Sequence, residues 1–215
     1  MAHVTKELPW CVIDIDTLTG RVFLQQRWKY TWLLRPPMTA WTATERSAFH
    51  SNADKAIWAS WSNKAKLKVV GTSAFAKKFI GKGLPINLDI RRVTSGHHWT
   101  VNVTKVNPST FVTSNVRWAS RIINLDTNDF QTKNFTHTTA PLKTIQYAVS
   151  HEFGHAAGNT STLGRGDEYK TGHAHFSDHG SIMHSGNQLR ARHFQTILDE
   201  MNKMIPGCTF SVLSV

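Results

Sequence analysis

Apolar and polar positions alternate with a period of two in several short stretches, the spacing of half-buried strands. Residues 1–40 read as a β-rich or irregular lead-in. Val12, Ile13 and Ile15 interleave with acids, Thr19-Gly20 supplies a turn, and Pro36-Pro37 ends the stretch. Residues 67–70 form a short apolar run. Ile86, Leu88 and Ile90 alternate with Asn87 and Asp89, and Trp99, Val101 and Val103 alternate with Thr100, Asn102 and Thr104. Residues 116–125 read as one further strand. At Thr42 the period changes to that of a helix. Thr42 and Glu45 have the capping-box spacing, and Phe49, Ala53, Ala56, Ile57 and Ser60 fall on one face with Trp58 and Trp61 flanking it. A second helix is predicted from Thr139-Ala140-Pro141, with Leu142, Ile145, Val149 and Ala156 on its apolar face and Gly158 as its stop. Residues 126–138 and 159–187 are polar and read as loops, and a closing helix is expected over 188–204, ended by Pro206-Gly207.

Composition adds a single domain of 215 residues with 40% hydrophobic content and eight tryptophans, enough for a substantial core. The formal charge of +11 favours anionic partners, such as an anionic surface or polymer. The basic residues are scattered, and no nucleic-acid fingerprint is present, so specific nucleic-acid binding is not expected. No stretch reaches the roughly 18 apolar residues of a membrane span. The N-terminal residues lack an apolar core after a basic start. The chain is therefore expected to be cytoplasmic in its producer, exported without a cleaved signal, or already relieved of one. Cys11 and Cys208 fit either one disulfide or two free thiols.

The chemistry-bearing string is His151-Glu152-Phe153-Gly154-His155. Residues four apart share a helix face, so both imidazoles can address one metal ion. Zinc (Zn2+) in such a site activates a water. Glu152, the adjacent carboxylate, takes its proton as general base and passes it to the leaving amine. A catalytic zinc needs a third protein ligand.

His151, Glu152, His155 and Gly158, together with Ser181-Ile182-Met183-His184, resemble the metzincin metallopeptidases, the last four looking like the astacin form of the Met-turn. The resemblance covers about the last third of the chain and breaks at Ser161, where that family has a His or Asp ligand. Asp167-Glu168-Tyr169 is similar to the D-E-Y that follows an H-E-F-G-H-x-x-G helix in some bacterial exported metallopeptidases, which implies a lengthened loop and Asp167 as the third ligand. Glu168 is the near alternative, and His173, His175, His179 and His184 are others. Gly164 and Gly166 allow the sharp turn that would present Asp167. Tyr169 is the expected oxyanion donor, with packing on the loop as its other role. Met183 would form an apolar floor under the histidines. Arg190, Arg192 and His193 would neutralise buried acids, bind a substrate carboxylate, or lie on an exposed helix face.

The resemblance implies an α+β metzincin-like fold. It has an N-terminal lobe (1–158) with helices on a twisted, mostly parallel sheet, the active-site helix at the cleft floor, and a small, loop-rich C-terminal lobe (159–215). It implies a monomeric zinc metalloendopeptidase acting on protein or peptide. It also implies a secreted effector or toxin, delivered by a secretion apparatus into a target cell. A zinc amidase acting on cell-wall peptides, and a non-enzymatic basic metal-binding protein, are the other readings.

Overall fold

The computed structural model describes residues 2–110, 112–137 and 143–215. The chain forms a mixed α+β fold. The lead-in is three strands, β1 (His3–Leu8), β2 (Cys11–Asp16) and the long β3 (Val22–Leu34). Helix α1 (Ala43–Trp61) follows, then β4 (Lys66–Gly71), α2 (Ala74–Phe79), β5 (Leu84–Arg92) and β6 (Trp99–Lys105). Next come β7 (Asn115–Arg117), β8 (Ile122–Asp126), β9 (Thr132–Thr136), β10 (Lys143–Tyr147) and α3 (Ala148–Ala156). The chain closes with α4 (Gln195–Met201) and β11 (Cys208–Ser214).

The main sheet runs β11-β4-β5-β3-β6-β8-β7. Its centre is parallel: β3 pairs with β5 on one edge and with β6 on the other, and β6 pairs with β8. Its flanks are antiparallel, through β4–β5, β4–β11, β7–β8 and the β1–β2–β3 meander. The expectation of a mostly parallel sheet therefore holds at the centre and fails at the flanks. The long β3 makes this possible, since Val22–Gln25 pair with β2 and Trp28–Leu34 with β6.

Burial follows the alternation read from the sequence. Leu84, Ile86, Leu88 and Ile90 of β5 and Trp99, Val101 and Val103 of β6 are buried, facing Phe49, Ala53, Ile57 and Trp61 of α1. The Thr42–Glu45 capping box is formed as expected. The apolar stripe is shifted, however: Trp61 is fully buried, while Trp58 is 45% exposed. Trp61 Nε1 donates to the Ser150 carbonyl at 3.0 Å, which fixes α1 against α3.

Four expectations are corrected. Residues 116–125 are two antiparallel strands, β7 and β8, folded about a turn in which Arg121 takes a positive φ. Residues 126–138 are not all loop, because β9 lies within them and pairs with β10. Helix α3 does not begin near Pro141, which lies outside the described residues. Residues 143–147 are strand, with polar Thr144 and Gln146 inward and Ile145 49% exposed. The closing helix is shorter than 188–204, being a 3₁₀ turn (Ala191–Phe194) continued by α4. Neither α2 nor β11 was expected, and β11 brings the end of the chain back to β4, across the division into two lobes. Cys11 and Cys208 are buried free thiols, so the disulfide alternative is not realised. No helix among the described residues is long and apolar enough to cross a membrane.

Gly158 ends α3 with a φ of +103°, and a Cβ there would lie 2.4 Å from Thr196 Cγ2. Both the conformation and the space demand glycine. Gly158→Ala is expected to cost at least about 1–3 kcal/mol, read as a lowered urea midpoint with an unchanged m-value.

Candidate metal centre

His151 and His155 sit one turn apart on α3, and Asp167 reaches them from the loop beyond it. His155 Nε2 is 3.1 Å from His151 Nε2 and 3.0 Å from Asp167 Oδ1, and His151 Nε2 is 3.3 Å from the same oxygen. Two ligands sharing a tetrahedral zinc at bonds of about 2.0–2.1 Å lie roughly 3.3–3.4 Å apart. The triangle is of that size.

The protons decide what the triangle can hold. His151 Nδ1 is 2.7 Å from the Ile182 carbonyl oxygen, and His155 Nδ1 is 2.5 Å from that of Asn159. A carbonyl only accepts, so each Nδ1 carries the hydrogen and each ring turns its Nε2 inward, a lone pair unless a further proton is added. Two lone pairs and a carboxylate oxygen then face one another. Only a cation between them, an added proton or a metal ion, relieves the repulsion. Burial alone would raise the Asp167 carboxyl, but the two imidazoles outweigh it and hold it well below the usual range. His155, which burial alone would lower, is pushed upward instead, chiefly by its bond to Asp167.

The loop that delivers Asp167 is the lengthened one the sequence pointed to. After Gly158 it makes a 3₁₀ turn (Ser161–Leu163) and reverses at Gly164, whose φ is +71°. Arg165 N returns a hydrogen bond to the Thr160 carbonyl at 2.9 Å. Gly166 has no positive φ, but a Cβ there would come within 3.2 Å of the Ser161 amide nitrogen. Ser161 is exposed at the start of the 3₁₀ turn and belongs to the loop, not to the triangle.

Glu168, the neighbouring alternative, points away. It accepts from Arg192 Nε at 2.6 Å and Nη2 at 2.8 Å, lies 3.3 Å from His193 Nε2, and its backbone N–H donates to the Met183 carbonyl. Burial would raise its carboxyl, but Arg192 and His193 hold it well below the usual range. Arg192 and Arg190 also share Asp178, keeping that carboxyl near 2, with Arg190 the main cause. Arg192 therefore neutralises the buried Glu168, as one of the sequence readings had it, while Arg190 pairs with the half-buried Asp178 and His193 adds a hydrogen bond to Glu168. His173, His175, His179 and His184 do not join the triangle; His179 and His184 pair with each other instead.

Met183 is fully buried. Its Sδ packs so closely on Gly154 that a Cβ there would sit 2.5 Å from it and 2.9 Å from Trp61. The turn at Ser181–His184 thus supports the helix by packing, and through Ile182 it also orients His151. Gln146 of β10 holds that turn from the other side, donating to the His184 carbonyl at 2.9 Å and the Ile182 carbonyl at 3.2 Å. Sequence reading missed Gln146. The signal would have been a polar residue two places before Ala148 at an inward strand position.

Glu152 is 6% exposed, and its Oε2 has no hydrogen-bond partner among the described residues. Burial raises its carboxyl, and His151 and His155 oppose this. Glu152 and Tyr169 line two adjoining cavities. One, of about 280 Å³, includes Thr113, Asn115, His155 and Asp167; the other, of about 390 Å³, includes Val112, Phe135, His137 and Ala148. Tyr169 is 48% exposed and near-parallel to His151 at 6.3 Å between ring centroids. Burial and the Asp167 charge push its phenol up, so it stays protonated at neutral pH.

In comparisons with family models, curated proteins and solved structures, nothing matches this chain.

The Glu168–Arg192 pair gives a stability test. A depressed carboxyl contributes stability that is complete above its unfolded pKa of about 4.3 and is lost as pH falls through the lower folded value. Glu168→Gln is expected to cost on the order of 3 kcal/mol at pH 7. The difference from wild type should shrink below pH 4, as followed by denaturant unfolding across pH.

Proposed function

We propose that this chain is a zinc-dependent hydrolase of peptide bonds, with His151, His155 and Asp167 holding the ion and Glu152 as general base. The observation that carries the reading is the unpartnered Glu152 Oε2, buried beside a triangle of inward lone pairs. A buried carboxylate oxygen without a donor is costly, and a water at the neighbouring ion would supply one. The donor set, two neutral imidazoles and one carboxylate, suits zinc. A zinc ion bound there would lower the pKa of its water towards 7 and polarise a carbonyl.

Each side chain then has a task. Glu152, raised in pKa by burial, accepts a proton from the attacking water and returns it to the leaving nitrogen. Tyr169, a protonated phenol at the junction of the two cavities, is suited to donate to the developing oxyanion. Asp167 keeps the charge of the ligand set low, and the Ile182 and Asn159 carbonyls keep both rings in the ligating tautomer. A peptide is favoured because β7 has one ladder partner among the described residues, β8, and Asn115 and Val116 of β7 line the cleft. An unpaired strand edge can receive an extended chain. These features keep the chain close to the metzincin pattern, with the third ligand displaced past Ser161.

Glu152→Gln should retain the zinc of the His151–His155–Asp167 centre and lose about 10²–10⁴-fold in kcat on a peptide substrate. Metal analysis of the purified variant alongside the rate assay checks this. Unchanged rates would overturn Glu152 as general base, and a zinc-loaded wild type that cleaves nothing would leave a non-enzymatic metal-binding protein.

The formal charge of +11 favours a second reading, an amidase drawn to an anionic cell wall. Under the peptidase reading, zinc-loaded protein should cleave casein at least tenfold faster than it releases peptide from purified peptidoglycan. The reverse order would assign the amidase.

A further inference from the structure

The geometry of the His151–His155 pair occurs a second time. Those two rings have centroids 4.8 Å apart, an interplanar angle of 88° and facing nitrogens 3.1 Å apart. His179 and His184 have centroids 4.6 Å apart, an interplanar angle of 88°, and Nδ1 of His179 facing Nε2 of His184 at 3.2 Å. Neither residue takes part in the first centre. We propose that His179 and His184 form a second site for a divalent transition-metal ion of the zinc class, separate from the His151–His155–Asp167 centre.

Four observations carry it. The separation of the facing nitrogens is close to the roughly 3.3–3.4 Å of two imidazoles on one tetrahedral ion, and imidazole suits zinc, copper and nickel. The pair is supported as ligating histidines are: His184 Nδ1 lies 2.8 Å from Ser185 Oγ, so a proton donated there leaves the Nε2 lone pair free. Ser185 Oγ also lies 3.2 Å from His137 Nε2, and the His137 ring stacks on His179 at 4.1 Å, which puts a third imidazole at the edge of the pair. His184 is 6% exposed, so its ring is held in one orientation by the structure around it.

The site has two histidine ligands and no carboxylate. Water fills the remaining positions, and it binds zinc more weakly than the first centre. His184 and His137 also line the larger cavity beside Glu152, so an ion here narrows that cavity.

The test is zinc uptake alone, which is independent of catalysis. Titrating metal-free protein with Zn2+ against a chromophoric chelator should give two equivalents for wild type, one tight and one weaker. His179→Ala and His179→Gln should each give one, and Glu152→Gln should keep both. The tight equivalent retained by the His179 variants reports that they are folded. A wild type that takes up one equivalent, or a His179 variant that retains two, would overturn the second site.

Discussion

Two imidazole nitrogens and a carboxylate oxygen converge on one point and need a cation between them, an added proton or a metal ion. That arrangement is unfavourable by itself, and the surrounding structure is organised to enforce it. Backbone carbonyls of Ile182 and Asn159 take the Nδ1 protons, which leaves both Nε2 lone pairs directed at Asp167. One carbonyl belongs to the Ser181–His184 turn and the other to the residue after the helix stop. The short helix, its glycine terminus and the turn beneath it are therefore one device. Gly158 lets the chain reverse sharply enough to bring the Asn159 carbonyl onto His155. Gly154 lets Met183 and Trp61 approach the helix backbone. Folding energy from the core, in which Trp61, Phe153, Phe194 and Met183 are all fully buried, holds the acceptors together until a cation stabilises them.

Asp167 and Glu168 show how two adjacent carboxylates acquire opposite roles. Their side chains leave the loop in different directions, so one faces the helix while the other faces away. Asp167 meets two imidazoles, while Glu168 meets Arg192 and His193. The inward ion pair anchors the segment, and its N–H bond to Met183 ties it to the same turn that orients His151. The precision of the ligand depends on the residue beside it.

The metal helix was legible in the sequence because a spacing of four on a helix is a strong geometric statement, and Gly158 marked its end. Asp167 was legible through the D-E-Y string. Its separation from Glu168 was not, because that depends on Arg192 and His193 arriving from 24 and 25 residues away. The start of α3 was misjudged for a different reason. Leu142, Ile145 and Val149 mimic a helical stripe, but at residues 143–147 the inward side chains are the polar Thr144 and Gln146, bonded to the turn. A strand that buries polar groups and exposes an isoleucine inverts the usual hydrophobic pattern. The two-strand split of residues 116–125 was hidden similarly, since Arg121 adopts a left-handed turn with no glycine to announce it.

The two walls of the cleft are joined through one buried residue. Asp129 accepts from Ser114, which lines the cleft beside β7, and from Lys133 of β9 at 3.2 Å. Its backbone carbonyl accepts from Val149 N in the first turn of α3 at 3.0 Å. The strand side and the helix side of the cleft are therefore not independent surfaces that happen to meet. A displacement of the 112–116 segment pulls on the same residue that receives the start of α3. Its side chain is fully buried and bonds to three donors, Ser114, Lys133 and the Asp126 amide, so its position is defined by the fold and not by solvent. The width of the groove between β7 and Glu152 is thus set by a carboxylate that lies outside the His151–His155–Asp167 triangle. That makes the distance between β7 and Glu152 a property of the core.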